Sequence, residues 1–351
     1  MNKVAVYKIT FTPSGPYFFG NENTFKYPKA KSKEDNPYYI RSENTPSQST
    51  VFGSLRYILL PEKGLDKLKL EHNIAAIGES GFNMDNTTIQ TFGLIKRMSA
   101  VFISKGDELF IPTPFDHKKS DEITEYTPFQ KYDGLITTDK SEKLYTEEYD
   151  AKEGISESFM SIKDNQICND LISVEVRVGI NRNNTKDGFF KKEYKNLKAG
   201  YSFCVFAEIG GDDLEKVNIQ TVSMGQGKVP FAVKFEKIDK EIKDVYDIVE
   251  SAINKKTIEN YKRFYCLSDM VVGCALYDNA KFAIVQTREH RSFKRDAGKY
   301  TKSQVLHRLV KAGSVFLVDD NIEEIDFAQN TISQKNSYTI GYNQIITIKN
   351  N

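Results

Sequence analysis

The sequence predicts an α+β protein made of two strand-rich modules. Short β-branched and aromatic runs bounded by Gly, Pro and Asn recur along its 351 residues and read as strands. Among them stand two well-formed amphipathic helices, one in each half. Strands interleaved with one such helix per half, joined by Gly-rich turns, are the pattern of α+β sandwich modules such as the ferredoxin-like fold. At roughly 150 residues per domain the length asks for two domains, drawn at 1–168 and 169–351.

Residues 3–12 (KVAVYKITFT) form the first expected strand, closed by Pro13 and Gly15. A loop rich in Tyr, Pro, Asn and Lys runs to about Thr45. Ser47 then caps a helix whose apolar face is Val51, Leu55, Ile58 and Leu59, and Pro61 ends it. Residues 98–104 and 107–112 read as a hairpin about Lys105-Gly106. Residues 119–164 hold twelve acidic and six basic residues. So few apolar runs cannot offset the entropy of ordering, so a projecting, partly disordered insertion is expected there. Strands are expected again at 171–180, 200–209, 215–222 and 230–236. A second helix follows at 239–254, striped by Ile242, Val245, Tyr246, Val249 and Ile253. Strands at 281–287, 314–318 and 337–348 complete the reading.

Composition removes several function classes. Lys and Arg number 49 against 48 Asp and Glu, a net charge of +1, so any nucleic-acid footprint must be local. No apolar run approaches the ~20 residues of a membrane span, and the opening MNKVAVYKITFTP lacks a signal-peptide layout. A soluble cytoplasmic protein without a membrane partner is expected. Cys168, Cys204, Cys266 and Cys274 form no CxxC, and His72, His117, His290 and His307 form no HExxH. No metal and no cofactor is therefore expected, and the thiols pack as small hydrophobes.

Three motifs invite chemistry. Gly210-Gly211-Asp212-Asp213 sits between strands, as the paired carboxylates of a palm-type cyclase would. No acidic partner strand stands out, and a Gly-Asp hairpin turn accounts for it. Gly225-Gln226-Gly227-Lys228 lacks the Gly and Ser/Thr of a phosphate loop, since Val222 and Val229 stand there. It reads as a plain turn or as one that lets a nucleic-acid backbone come close. Asp116-His117 reverses a metal phosphohydrolase pair and reads as a surface loop.

Charge is sorted by region. Residues 255–308 hold twelve Lys or Arg and five Asp or Glu. The densest part, Arg288, His290, Arg291, Lys294 and Arg295 interleaved with Phe293 and Tyr300, suits phosphate gripping and base stacking. A solvated surface loop is the plain alternative. Residues 171–200 hold seven basic against three acidic, whereas 315–334 hold five acids and no Lys or Arg. Such sorting fits an RNA face beside acidic faces for protein neighbours.

Five collinear segments resemble one family. They are Pro16-Tyr17-Phe18-Phe19-Gly20; Pro46 through Arg56 (PSQSTVFGSLR); Leu109 through Asp116 (LFIPTPFD); Glu175 through Arg182 (EVRVGINR), with Asp187-Gly188-Phe189-Phe190 after it; and Ala312-Gly313-Ser314-Val315. In this order and spacing the chain resembles the third-subunit family of the Cmr complex, the type III-B CRISPR effector, within the RAMP superfamily. The resemblance implies two ferredoxin-like (RAMP/RRM-like) domains with an insertion and Gly-rich loops. It implies a non-catalytic subunit that caps the 5′ handle of the crRNA. Its neighbours would be the large polymerase-cyclase subunit and a backbone RAMP subunit, with target RNA met only indirectly. The turns Gly225–Gly227 and Gly341–Asn343 are thinner than the family's usual glycine-dense loops.

The residues expected to meet RNA are Ser47, Gln48, Ser49, Gly53 and Arg56 on the first helix, whose N-terminus suits a phosphate. Arg177, Asn181 and Arg182, the turn residues Gly225, Gly227 and Lys228, and Arg288, His290, Arg291, Lys294 and Arg295 complete the set. Gln48, Ser49 and Asn181 suit base edges, whereas Arg177 and Arg182 suit phosphates. Two alternatives remain. One is a guide-processing endoribonuclease of the same superfamily with His290 as general acid or base. The other is the equivalent handle-capping subunit of a type III-A complex.

Overall fold

A computed structural model describes residues 4–20, 38–61, 71–118, 124–129, 155, 157–180, 189–211, 214, 220–253, 262–272, 280–296, 299–319, 321–323 and 328–348. The strands are β1 (Val4–Pro13), β2 (Tyr38–Ile40), β3 (Ile95–Met98), β4 (Phe102–Lys105), β5 (Glu108–Pro112), β6 (Phe159–Ser161), β7 (Ile167–Cys168), β8 (Ile172–Ile180), β9 (Phe189–Leu197), β10 (Ser202–Gly210), β11 (Gln220–Met224) and β12 (Val229–Ile238). They continue as β13 (Lys262–Cys266), β14 (Met270–Val271), β15 (Ala280–Ile284), β16 (Thr287–His290), β17 (Phe293–Asp296), β18 (Lys299–Lys302), β19 (His307–Val310), β20 (Val315–Val318) and β21 (Ile345–Ile348). Four helices stand among the described residues: α1 (Gln48–Leu59), α2 (Glu71–Ile77), α3 (Ile242–Ile253) and α4 (Ile332–Thr339).

β10 organises the molecule. Its sequence SFCVFAEIG is apolar on both faces, which suits a strand covered on both sides. It pairs with β1 from Val4↔Gly210 to Phe11↔Phe203, and with β3 and β4 along its other edge. The full antiparallel sheet has nine strands in the order β11-β12-β1-β10-β4-β5-β6-β7, with β3 also on β10. Phe203, Val205, Ala207 and Ile209 point to one face, where α1 lays Val51, Phe52, Leu55, Ile58 and Leu59. Each such side chain stabilises the fold by about 1.5–3 kcal/mol when fully buried. Cys204 and Phe206 point to the other face, against Ile242, Val245, Val249 and Ile253 of α3.

The far side of α3 meets a second sheet, ordered β15-β20-β13-β21, through Tyr265, Val315, Ile346 and Ile348. The opposite face of that sheet buries Phe264, Cys266, Phe316, Val318 and Ile345. Small sheets β14-β19-β16, β17-β18 and β2-β9-β8 flank these layers.

The α+β class holds, and both expected helices form close to where their stripes place them. The nine-stranded sheet draws strands from both sides of 168/169, so that boundary does not separate two sheets. Two local expectations are corrected. Residues 337–348 are not one strand: Thr331 caps α4 through a reciprocal box with Gln334, and β21 begins only at Ile345. The capping chemistry outweighs the β-rich composition. The stretch 119–164 is not wholly an insertion. β6 extends the central sheet with Met160 buried, and Tyr126 and Phe129 are buried. The rest of that stretch lies largely outside the described residues.

Close backbone contacts fix the layers. Gly313 has φ 98°, and a Cβ there would stand 2.5 Å from Cε1 of Phe115. The amide of Phe115 donates to the Gly313 carbonyl at 2.8 Å. Asp116, next in sequence, does not lie on a surface loop as expected: it is buried against Arg263 of β13 at 2.6 Å, which compensates its charge, and accepts from the Tyr126 hydroxyl. By contrast, Gly53 is exposed on α1, and a methyl added to it would meet nothing within 4 Å. Gly313→Ala is expected to destabilise the protein by about 2–4 kcal/mol, combining left-handed strain with overpacking. Gly53→Ala should stabilise it by about 0.5–1 kcal/mol by removing backbone entropy. Urea denaturation midpoints of the two variants check both signs.

Candidate nucleic-acid interface

The first expected surface surrounds the start of α1. Ser47 caps the helix, its Oγ accepting from the Thr50 amide at 3.2 Å and lying 2.9 Å from the Thr50 hydroxyl. The Ser49 amide donates to the hydroxyl of Tyr342, which donates to Ser49 Oγ at 3.2 Å. Gln48 is buried, and its Oε1 faces Gly341 (φ 92°), where a methyl would strike it at 2.9 Å and the Ser99 carbonyl at 2.1 Å. Arg56 points the other way, donating to the Ile77 carbonyl at the end of α2 with its guanidinium 5.6 Å over Phe52. Ser47, Ser49 and Thr50 at the start of α1 are thus engaged in internal bonds, the buried Gln48 Oε1 has no hydrogen-bond partner among the described residues, and Gly53, one turn on, has open space beside it.

The basic strand β16 approaches the same turn. Arg288 pairs with Asp269 at 2.5 Å, its side chain only 11% exposed. Burial is the largest single influence and opposes its charge, but Asp269, Glu43 and Tyr342 together outweigh it and hold the guanidinium above its ordinary value. It also hydrogen-bonds Tyr342, whose ring stacks on Phe82 at 5.8 Å. His290 is half-buried 6.2 Å from the Tyr342 ring and lies opposite His307, which holds Asp85 at 2.6 Å. Burial first, then the charges of Arg288 and His307, lower His290 to about 3 against a weaker opposing pull from Asp85. Arg291 donates to the carbonyls of Ser303 and Gln304, both at 3.3 Å. Lys294 and Arg295 lie on the β17 backbone, with their side chains outside the described residues. Three of the five basic-segment candidates therefore face inward.

The second surface lies on the β8–β9 hairpin. Residues opposite one another in its register, such as Arg177 and Lys192, share a face. There the half-exposed Arg177 guanidinium sits 4.7 Å over the ring of Tyr194, and its Nε donates to Glu175 at 2.6 Å. That bond raises Arg177 and lowers Glu175 from their ordinary values. Lys192 Nζ lies 4.0 Å over Phe18 and 5.0 Å over Tyr194, and donates to Gln226 at 3.0 Å. The turn Gly225–Lys228 closes on this group. The Gln226 amide donates to the Phe18 carbonyl, and a methyl on Gly225 (φ 72°) would stand 2.4 Å from that oxygen. Gly227 (φ 93°) has open space beside it, and Lys228 is exposed with φ 52°. Asn181 and Arg182 lie outside the described residues, as do Asp212 and Asp213.

Expected residues thus fall into two groups. Ser49, Arg288 and His290 converge on Tyr342, and Arg177 is linked to the Gly225–Lys228 turn through Tyr194, Lys192 and Phe18. Lys192 and Tyr194 were not among the sequence candidates. Their signal is the period-two series Lys192, Tyr194, Asn196, legible only once β9 is registered on β8. Among the described residues no cluster of metal-ligating side chains occurs, and no helix is long and apolar enough to cross a membrane.

Strand-rich α+β layering thus carries a local cation–aromatic surface on the β8–β9 hairpin. The chain belongs to the family described as CRISPR-associated protein (Cas_Cmr3), whose model matches residues 9–350. It is accordingly a Cmr-type component of a type III CRISPR effector. No curated protein matches it. Similar solved structures include a type III-B Cmr-beta complex bound to cognate target RNA and AMPPnP, with 13% identity over 96% of this chain and 95% of that chain, TM-score 0.49. A Cmr-beta complex bound to cognate target RNA gives 12% identity, 96% of each chain and TM-score 0.48. A Csm3–Csm4 subcomplex of a type III-A complex gives 12%, 98% and 99%, and 0.36.

The depressed His290 yields a stability prediction. Its folded value lies below the ordinary 6.5, so the unfolded chain binds the extra proton between about pH 6.5 and 3. Stability therefore falls as pH drops through that window. His290→Gln should shrink that loss, measured as urea midpoints at pH 7 and pH 5 for the variant and the parent protein.

Proposed function

We propose that this chain is the non-catalytic crRNA-binding subunit that caps the 5′ handle in a type III-B effector. It would lie between the large polymerase-cyclase subunit and a backbone RAMP subunit. The carrying observation is a continuous set of contacts: Arg177 lies over Tyr194, Lys192 over both Tyr194 and Phe18, and Gln226 of the Gly225–Lys228 turn bonds both Lys192 and the Phe18 carbonyl. Three segments far apart in sequence supply a guanidinium and an amine for phosphates, both backed by the Tyr194 ring, and open glycine backbone for close approach. We extend the proposal to the fold: one ferredoxin-like unit would centre on β1, β10 and β12 with α1, the other on β13, β20 and β21 with α3.

The endoribonuclease alternative needs His290 to exchange a proton near neutral pH. A group held near 3 beside Arg288 is a weak base and never a charged acid there. That supports a scaffold over an enzyme.

The double variant Arg177→Ala with Lys192→Ala should weaken handle-RNA binding. It should also flatten the salt dependence by roughly 1.4 in the log–log slope, at about 0.7 per lost single-strand phosphate contact. Filter binding across a salt series measures both. An unchanged slope would remove the hairpin from the RNA path.

A further inference from the structure

Part of the central sheet's α3-side face is polar. Lys8 and Thr10 of β1 lie opposite Phe206 and Cys204, which point toward α3, so these four side chains share that face. Lys8 and Thr10 are also opposite Glu236 and Lys234 of β12, while Ser202 is opposite Ser104. With Gly106, Asp107 and Gly200 these residues line a groove of about 420 Å³. A methyl added to Gly106 (φ 59°) or Gly200 (φ 86°) would meet nothing within 4 Å, so open backbone borders the groove.

Its cations are weakly held. Lys8 is buried, and its Nζ donates to the Gly106 carbonyl at 2.7 Å and to Asp107 at 3.0 Å. Asp107 is fully exposed at the turn, while Lys234 and Glu236 pair at 3.5 Å with both side chains largely in water. A buried amine whose carboxylate partner is wholly solvated recovers little of its desolvation cost. A ligand bearing anionic oxygens can displace Asp107. Lys105, over the ring of Tyr201, and Lys240, which acts on Asp107, add positive charge near the groove. The Thr10 hydroxyl adds a polar group, beside Ser202, which is bonded to Thr12 at 2.7 Å. No aromatic side chain lines the groove, so base stacking has no platform there.

We propose that this groove binds the phosphodiester backbone of single-stranded RNA without reading bases, as a site separate from the hairpin. The hairpin attaches on the α1 side, through the Tyr17–Lys195 bridge and through Ile172 and Leu197, which pack against that core. The two surfaces therefore lie on opposite sides of the sheet, and the groove does not depend on the handle-capping reading.

The test uses the full chain carrying Arg177→Ala and Lys192→Ala, with a short fluorescein-labelled oligouridylate read by anisotropy. Asp107→Asn removes the competing carboxylate at an exposed site and should tighten binding roughly twofold to fivefold. Lys234→Gln should weaken binding by a similar factor and lower the salt slope by roughly 0.7. AMP should compete poorly at equal phosphate, and polyglutamate poorly at equal charge. Equal competition by AMP would assign the site to free nucleotides, and equal competition by polyglutamate to acidic protein segments; either overturns the proposal. So would unchanged affinity in both groove variants, or loss of all oligouridylate binding in the hairpin background. That last result would leave the handle-capping reading intact.

Discussion

Two-sided burial of β10 is the constraint on which the remaining structure depends. A strand apolar on both faces must be covered on both, and one short helix covers one face. The chain meets this with α1 from its first half and α3 from its second. β1, from the N-terminus, pairs with β10 and β12 from beyond residue 200, so the halves share one sheet. The second sheet then closes the apolar surface that α3 turns away from β10. Breaking any of these layers exposes a face of the same strand, which ties the halves into one cooperative unit.

Four of the five segments that carried the family resemblance act as fasteners between those layers, two of them against glycines outside those segments. Phe115 rests on Gly313, Gln48 on Gly341, and the Phe18 carbonyl on Gly225, each at a distance that leaves no room for a side chain. In sequence they look like unrelated short motifs dozens of residues apart. In the fold they are matched pairs, a bulky or polar group against a glycine of positive φ. Their spacing was legible because close approach tolerates so few substitutions.

The layered α+β class and both main helices were readable from periodicity and caps, because Val51, Leu55 and Ile58, like Ile242, Val245 and Val249, each repeat on one helical face. The strand β9 was not, since KKEYK is rich in charge. It forms because β8 supplies a partner and Glu193 and Lys195 neutralise each other at 2.5 Å in a buried setting. The α4 helix was hidden under β-favouring residues and is set by the Thr331–Gln334 box. The site was the least legible part. A run of Arg and His marks local charge, but composition is blind to the anion that already holds each cation. Arg288 belongs to Asp269, and Arg291 to two carbonyls. Arg177, in a less conspicuous strand, stays half in solvent.

Near-zero net charge is compatible with binding a polyanion because the relevant field is local. At physiological salt, exposed charges lose sight of one another beyond about 8 Å, while packed layers are spaced about 10 Å apart. Acidic stretches elsewhere therefore subtract little from a cation cluster on one surface, and clusters on opposite sides of the central sheet act independently. What decides each cluster's strength is its nearest carboxylate. Glu175 shares Arg177 with the Tyr194 ring and leaves its outer face to water, whereas Asp269, with Glu43 and Tyr342, holds Arg288 charged in a buried setting. Charge sorting along the sequence thus locates where cations are made, and the fold decides which of them remain available to a phosphate.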